Sequence, residues 1–274
     1  MNDIFEQMLS QYQIVTDKDK QNAMYEVMQQ VTLAGLYRGG FFSKAAFYGG
    51  TCLRIFHKLD RFSEDIDFSL LSRDESFNLE DYFPAVIEEF KTLGRDVVIN
   101  KKNKKNFGQV ESAFLKDNTE VYDVAFQTEK SLKIKIEVDI NPPLKFLTEQ
   151  KLLIQPFSFM TRCFSLPDLY AGKMHALAFR NWKTRVKGRD WYDFEWYVKN
   201  SVQLDFTHLQ ERILEFNGIE MTKEQYLITL KERLSSTDIK MVKQDVQPFI
   251  KHQESLEIWS NEYFLQLADM IKFK

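Results

Sequence analysis

Cysteine is scarce in this chain, which excludes a disulfide scaffold. Only Cys52 and Cys163 occur, and neither belongs to a CxxC pair, so both are expected as reduced thiols of a cytosolic protein. Histidine is nearly as rare. His57, His175, His208 and His252 are the full set, and no HxxxH spacing occurs, which argues against a zinc centre. There is no GxSxG elbow for a serine hydrolase and no GxxxxGK loop followed by Ser or Thr, so a P-loop NTPase is excluded. No apolar run approaches the roughly 18 residues of a membrane span. The opening MNDIFEQMLSQYQ lacks the basic-then-apolar pattern of a signal peptide. The expectation is a cytoplasmic protein with no membrane contact. A charge surplus is also missing: 37 Lys and Arg face 40 Asp and Glu, for a net charge of −3. That excludes coating nucleic acid by bulk charge and leaves local basic patches open.

Large apolar side chains are plentiful. With 44% hydrophobic residues, 24 Phe, 11 Tyr and 4 Trp, the 274 residues can bury a substantial core as one large or two modest domains. Periodicity divides the chain into three parts. Residues 1–40 read as N-terminal helices, with Ile4, Phe5, Met8, Leu9 and Tyr12, then Met24, Val27, Met28 and Val31, at helical spacing. Residues 41–150 read as an α/β core. A short helix starts at Thr51, a strand covers 65–70, a helix covers 79–94, and further strands cover 96–101, 108–115, 120–127 and 131–140. In the last, Leu132, Ile134, Ile136, Val138 and Ile140 alternate with charged residues, so one face is apolar. Residues 151–274 read as helical, with helices over 167–181, 188–199, 206–216, 222–234 and 256–272. The domain boundary is expected between Pro143 and Pro167. No internal repeat occurs.

The chemistry concentrates between Phe47 and Phe68. Gly49 and Gly50 lack Cβ atoms, so their amides can approach an anion, and the helix that follows presents its N-terminus to phosphate. In an extended strand Asp65 and Asp67 point the same way, with Ile66 and Phe68 facing a core. Such a pair of carboxylates suits a divalent cation. A third carboxylate would complete a two-metal site. Glu137 and Asp139 share one face of the 131–140 strand, and Glu137 is the preferred candidate, although Lys133 and Lys135 lie on that face too. Lys173 and Arg180 are seven residues apart, about two helical turns, and so share one helix face. His175 points elsewhere and is expected to be packed or solvated. Two basic tracts occur. One is 101–105. The other comprises Lys183, Arg185, Lys187 and Arg189, flanked by Trp182 and Trp191, and is the candidate acceptor surface: base side chains for a phosphodiester backbone and indoles for stacking.

The segment Gly49-Gly50-Thr51-Cys52-Leu53-Arg54, a short spacer and Arg61-Phe62-Ser63-Glu64-Asp65-Ile66-Asp67-Phe68 resembles the signature of the AbiEii/AbiGii toxin family of nucleotidyltransferases, within the DNA polymerase β-like superfamily. Leu169 to Arg180 and Gly188 to Asp193 resemble the second half of that family, and the similarity spans residues 45–197. The resemblance implies an α+β fold: a polymerase β-like nucleotidyltransferase core with a mixed sheet, followed by a helical domain that completes the active-site cleft. It implies that Asp65 and Asp67 hold Mg²⁺ (or Mn²⁺) and orient the α-phosphate. Gly49, Gly50 and Thr51 would contact the phosphates, and Arg54, Arg61 and Ser63 would line or brace the pocket. Lys173 would reach the triphosphate, and Asp190 would be the later catalytic acid, with Asp193 able to exchange roles with it. The implied activity is transfer of a nucleotide from an NTP to an acceptor with release of pyrophosphate. The implied biology is a toxin with a cognate antitoxin, with tRNA among the acceptors. Two alternatives keep the motifs: modification of a protein or a small molecule such as an antibiotic, and a nucleotide-binding module without turnover.

Overall fold

Short strands assemble one mixed sheet, seen in a computed structural model that describes residues 3–101, 119–127, 132–180 and 186–274. The sheet holds seven strands: β1 (Ala45–Tyr48), β2 (Ile66–Leu70), β3 (Val97–Lys101), β4 (Thr119–Phe126), β5 (Lys133–Asp139), β6 (Thr148–Leu153) and β7 (Phe159–Phe164). Their spatial order is β3-β4-β5-β2-β1-β7-β6. β1 runs antiparallel to β2, β2 parallel to β5, and β1 parallel to β7. The predicted alternation of residues 131–140 is realised in β5, where Ile134, Ile136 and Val138 are fully buried. The predicted strand over 108–115 lies outside the described residues.

The chain divides into two compact units built from interleaved segments. The first takes the residues up to Cys52, Glu64–Pro142 and Thr148–Cys163; the second takes Leu53–Ser63, Pro143–Leu147 and Phe164–Lys274. In the first unit α1 (Ile4–Leu9) and α2 (Asp17–Arg38) precede the sheet, and α4 (Phe83–Thr92) packs on α2. Thr16 and Asp19 form a reciprocal capping box at the start of α2. Gly35 lets α2 and α4 approach: a Cβ there would stand 2.5 Å from the Cα of Val86. Phe41, Phe47, Phe68 and Phe90 are fully buried in this unit. Between β1 and β2 runs α3 (Gly49–His57). It starts two residues earlier than the sequence suggests, so both glycines belong to its first turn.

The second unit is largely helical, as expected. It contains α5 (Leu166–Phe179), α6 (Gly188–Lys199), α7 (Phe206–Asn217), α8 (Lys223–Ser236), α9 (Ile239–Val246) and α10 (Asn261–Asp269), with a two-stranded ribbon of β8 (Gln203–Leu204) and β9 (Lys272–Phe273). Gly188 at the head of α6 meets α9, where a Cβ would fall 2.1 Å from the carbonyl oxygen of Val242. Tyr170 stacks on Tyr197 with ring centres 4.2 Å apart, so α5 and α6 are locked side by side. Among the described residues no helix is long and apolar enough to cross a membrane.

Candidate active site

In the first unit the sheet register builds an acidic face. β2 and β5 run parallel, with Ile66 beside Ile136, Asp67 beside Glu137 and Ser69 beside Asp139. Asp65, Asp67 and Glu137 therefore project from one side of adjacent strands, while Ile66 and Ile136 turn into the core. Asp139 lies one step further along and accepts a hydrogen bond from the Asn141 amide at 3.1 Å. Beside this face β1 ends at Tyr48, which pairs with Asp67. Gly49 follows at φ +82°, a conformation that suits glycine, and a Cβ there would collide with Asp67 Oδ2 at 2.3 Å. Thr51 is buried and its hydroxyl donates to the Asp65 carbonyl, tying α3 to the start of the acidic strand.

Lys135, which alternation also puts on this face, is the member to which the motifs assign no role. Its Nζ lies 2.6 Å from Glu137 Oε1 and 3.5 Å from Asp65 Oδ2. Burial works against its charge, but Asp65, Glu137 and Asp67 outweigh burial and hold the ammonium well above the usual lysine range. The i, i+2 alternation of β5 was the available signal. As the side chains stand, no three His, Cys, Asp or Glu groups among the described residues surround a common point able to hold a metal ion. The donor chemistry nevertheless fits one: three carboxylates are the hard oxygen ligands that Mg²⁺ and Mn²⁺ take, and a cationic ammonium already lies between two of them.

In the second unit the other predicted residues meet in a buried ionic network. Arg61 is almost wholly buried and forks onto Asp193, with Nε 2.5 Å from Oδ1 and Nη2 2.6 Å from Oδ2. Lys173 Nζ bridges Asp190 Oδ1 and Asp193 Oδ2, each at 2.8 Å. Arg180, the cap residue just past the end of α5, reaches Asp190 Oδ2 with Nη1 at 3.0 Å, so it and Lys173 converge on one carboxylate. Burial favours protonation of Asp190 and Asp193. The surrounding cations overcome it, chiefly Lys173 and Arg180 for Asp190, and Arg61 and Lys173 for Asp193, and both carboxyls sit below their usual range. Lys187 sits just before α6. Burial, then Arg180, Arg189 and Lys173, push its pKa down to about 7 against the pull of Asp190.

The remaining candidates divide. Arg61 braces the network rather than facing solvent, and Arg54 donates to the Leu59 carbonyl at 3.0 Å. Ser63 is buried. His175 is packed: its Nε2 is 2.9 Å from Asn217 Oδ1, and burial brings its pKa down to about 3, so it is neutral at physiological pH. Trp191 overturns its expected stacking role. It is buried edge-on against Phe264, with centres 4.7 Å apart, and offers no free face to a base. Trp182, Lys183 and Arg185 lie outside the described residues, as does the 101–105 tract beyond Lys101. Cys52 and Cys163 are buried free thiols, and burial with the neighbouring Cys163 pushes the Cys52 thiol well up, away from reactive thiolate.

The fold is a mixed sheet, with Asp65 and Asp67 at the head of its central strand β2, followed by a largely helical region. Two solved structures share it. MenT4, a nucleotidyltransferase toxin from Mycobacterium tuberculosis, aligns over 98% of this chain and 98% of its own, with a TM-score of 0.51 and 14% identity. JHP933 from Helicobacter pylori aligns over 94% of this chain and 91% of its own, with a TM-score of 0.51 and 18% identity. No curated protein matches the chain in sequence. The family model for the nucleotidyl transferase AbiEii toxin of type IV toxin–antitoxin systems matches residues 31–270, and the chain belongs to that family. It is a nucleotidyltransferase of the toxin class.

Proposed function

We propose that this enzyme transfers a nucleotide from an NTP to tRNA in a metal-dependent reaction that releases pyrophosphate, and that a cognate antitoxin restrains it. The register that sets Asp67 beside Glu137, with Asp65 one pleat away, is the observation that supports the reading most strongly. Asp65, Asp67 and Glu137 are the residues that would hold Mg²⁺ or Mn²⁺. When bound, the ion supplies Lewis acidity at the α-phosphate and lowers the pKa of an attacking hydroxyl. The chain's own residues do the rest. Gly49 and Gly50 leave backbone amides open at the head of α3 for phosphate oxygens. Thr51 holds that turn against the acidic strand through the Asp65 carbonyl. Lys173 is assigned to the β- and γ-phosphates, where a cation stabilises the charge that gathers on departing pyrophosphate. Asp190 and Asp193 keep the Lys173 ammonium charged and aimed, and Arg61 fixes Asp193. Arg54 holds the Leu59 carbonyl in the segment that leads to Arg61, and Ser63 is assigned to the pocket lining.

Incubation with each α-labelled NTP, Mg²⁺ and total tRNA tests this reading. Label is expected in the tRNA fraction with wild type and not with Asp65→Asn. Label recovered in protein or in a small molecule instead would reassign the acceptor, and no transfer by wild type would overturn the reading.

A further inference from the structure

We infer that Lys135 is a built-in second cation of the acidic face, so that the site takes one divalent ion rather than two. The inference rests on the proposed assignment of Asp65, Asp67 and Glu137 as metal ligands. Lys135 reaches its place through the backbone and not through a flexible excursion. It stands two residues before Glu137 on β5, so the pleat forces both side chains onto one face. One step back along the parallel ladder from the Ile66–Ile136 pair, Asp65 falls beside Lys135, just as Asp67 falls beside Glu137.

The ammonium then occupies the volume that a second metal would need. Two-metal sites set their ions about 3.5–4 Å apart between shared carboxylates. Lys135 Nζ is already 2.6 Å from Glu137 Oε1 and 3.5 Å from Asp65 Oδ2. Charge leads to the same count. Three carboxylates against one ammonium leave two negative charges, which a single divalent ion balances. Without nucleotide, a second ion would leave a positive surplus on a face where Asp65, Lys135 and Glu137 are only about a fifth to a third exposed. Lys135 is thus a positioning residue: it neutralises one carboxylate and holds Glu137 and Asp65 in place before any metal arrives.

Mn²⁺ counting by electron paramagnetic resonance tests this on the full chain without nucleotide, because a triphosphate chelates Mn²⁺ itself. Wild type is expected to bind one Mn²⁺ per chain, with the spectrum of an isolated ion, and Lys135→Arg the same. Lys135→Met, checked for folding by circular dichroism, is expected to bind two and to show spin coupling between neighbouring ions. Two coupled Mn²⁺ ions on wild type would overturn the inference while leaving the metal-site assignment intact. A single isolated ion on folded Lys135→Met would overturn it as well. No Mn²⁺ on wild type, or undiminished binding by Asp67→Asn, would overturn the metal-site assignment and the inference with it.

Discussion

At the scale of single residues, the second unit stores its charge in a network whose members cannot be removed singly without cost. Arg61 and Asp193 are both buried and doubly hydrogen-bonded. Breaking such a pair strands a charge away from water, at about 3–5 kcal/mol. Arg61→Met is expected to lower unfolding stability by about 3 kcal/mol in urea titrations, the low end because Lys173 still neutralises Asp193. Asp190 and Asp193 titrate below their ordinary range in the folded state. The stability they contribute is therefore complete above the ordinary aspartate pKa of about 4 and is lost as acid protonates them. Lys187 works in the opposite sense. Its folded pKa of about 7 lies below its unfolded value, so charging it in the folded state is unfavourable at neutral pH. That burden shrinks as pH rises from 7 towards the lysine value of about 10.4, where the unfolded chain also loses the proton. Lys187→Met is expected to raise the melting temperature at pH 7 by about 2–4 °C, with a smaller gain at pH 9.5, in thermal scans without nucleotide. An equal gain at both pH values would show that electrostatics is not the cause.

At the scale of elements, the join between β1, α3 and β2 carries the design. β1 ends opposite Asp67, Gly49 turns the chain through a left-handed conformation, and Thr51 ties the new helix back to Asp65. Gly49→Ala is expected to lose transfer activity by about 100-fold or more while the fold survives, because the added Cβ displaces the Asp67 carboxylate. Transfer assays with a circular dichroism control measure this. The sequence displayed that join openly, since Gly-Gly and Asp-x-Asp stand at recognisable spacing and β5 alternates cleanly. It displayed other elements poorly. β1 is only Ala45–Tyr48, too short for an alternation to register. β6 is the polar edge strand Thr148–Leu153, and β7 carries Cys163 and Thr161 among its buried positions, so neither shows an alternation of large apolar residues, and both belong to the sheet although residues 151–274 read as helical. The Arg61–Asp193 pair was equally hidden, because 132 residues separate its members and only tertiary packing brings them together. Lys135 was visible in the pattern but read as an ordinary polar position. Its role depends on which strand lies alongside, and single-strand periodicity does not carry that information.

At the scale of the whole molecule, a net charge of −3 coexists with sharply separated local charge. Acid gathers on the β2–β5 face, while Arg61, Lys173, Arg180 and Lys187 surround two carboxylates on α6. If tRNA is the acceptor, its contact is local and electrostatic, and its apparent affinity falls linearly with the logarithm of salt concentration. Transfer to tRNA is expected to weaken steeply between 50 and 200 mM salt, a range over which several phosphate contacts lose on the order of 10³ in affinity, and a flat salt profile would rule out that mode of binding. The claim on which everything else depends is nucleotidyl transfer at Asp65 and Asp67. Its most direct measurement is pyrophosphate release from NTP in the presence of total tRNA, followed with Mg²⁺ and after chelation, for wild type and Asp67→Asn. Release is expected with wild type and metal alone, falling by at least about 100-fold on chelation or in Asp67→Asn. Release by Asp67→Asn at the wild-type rate would contradict it.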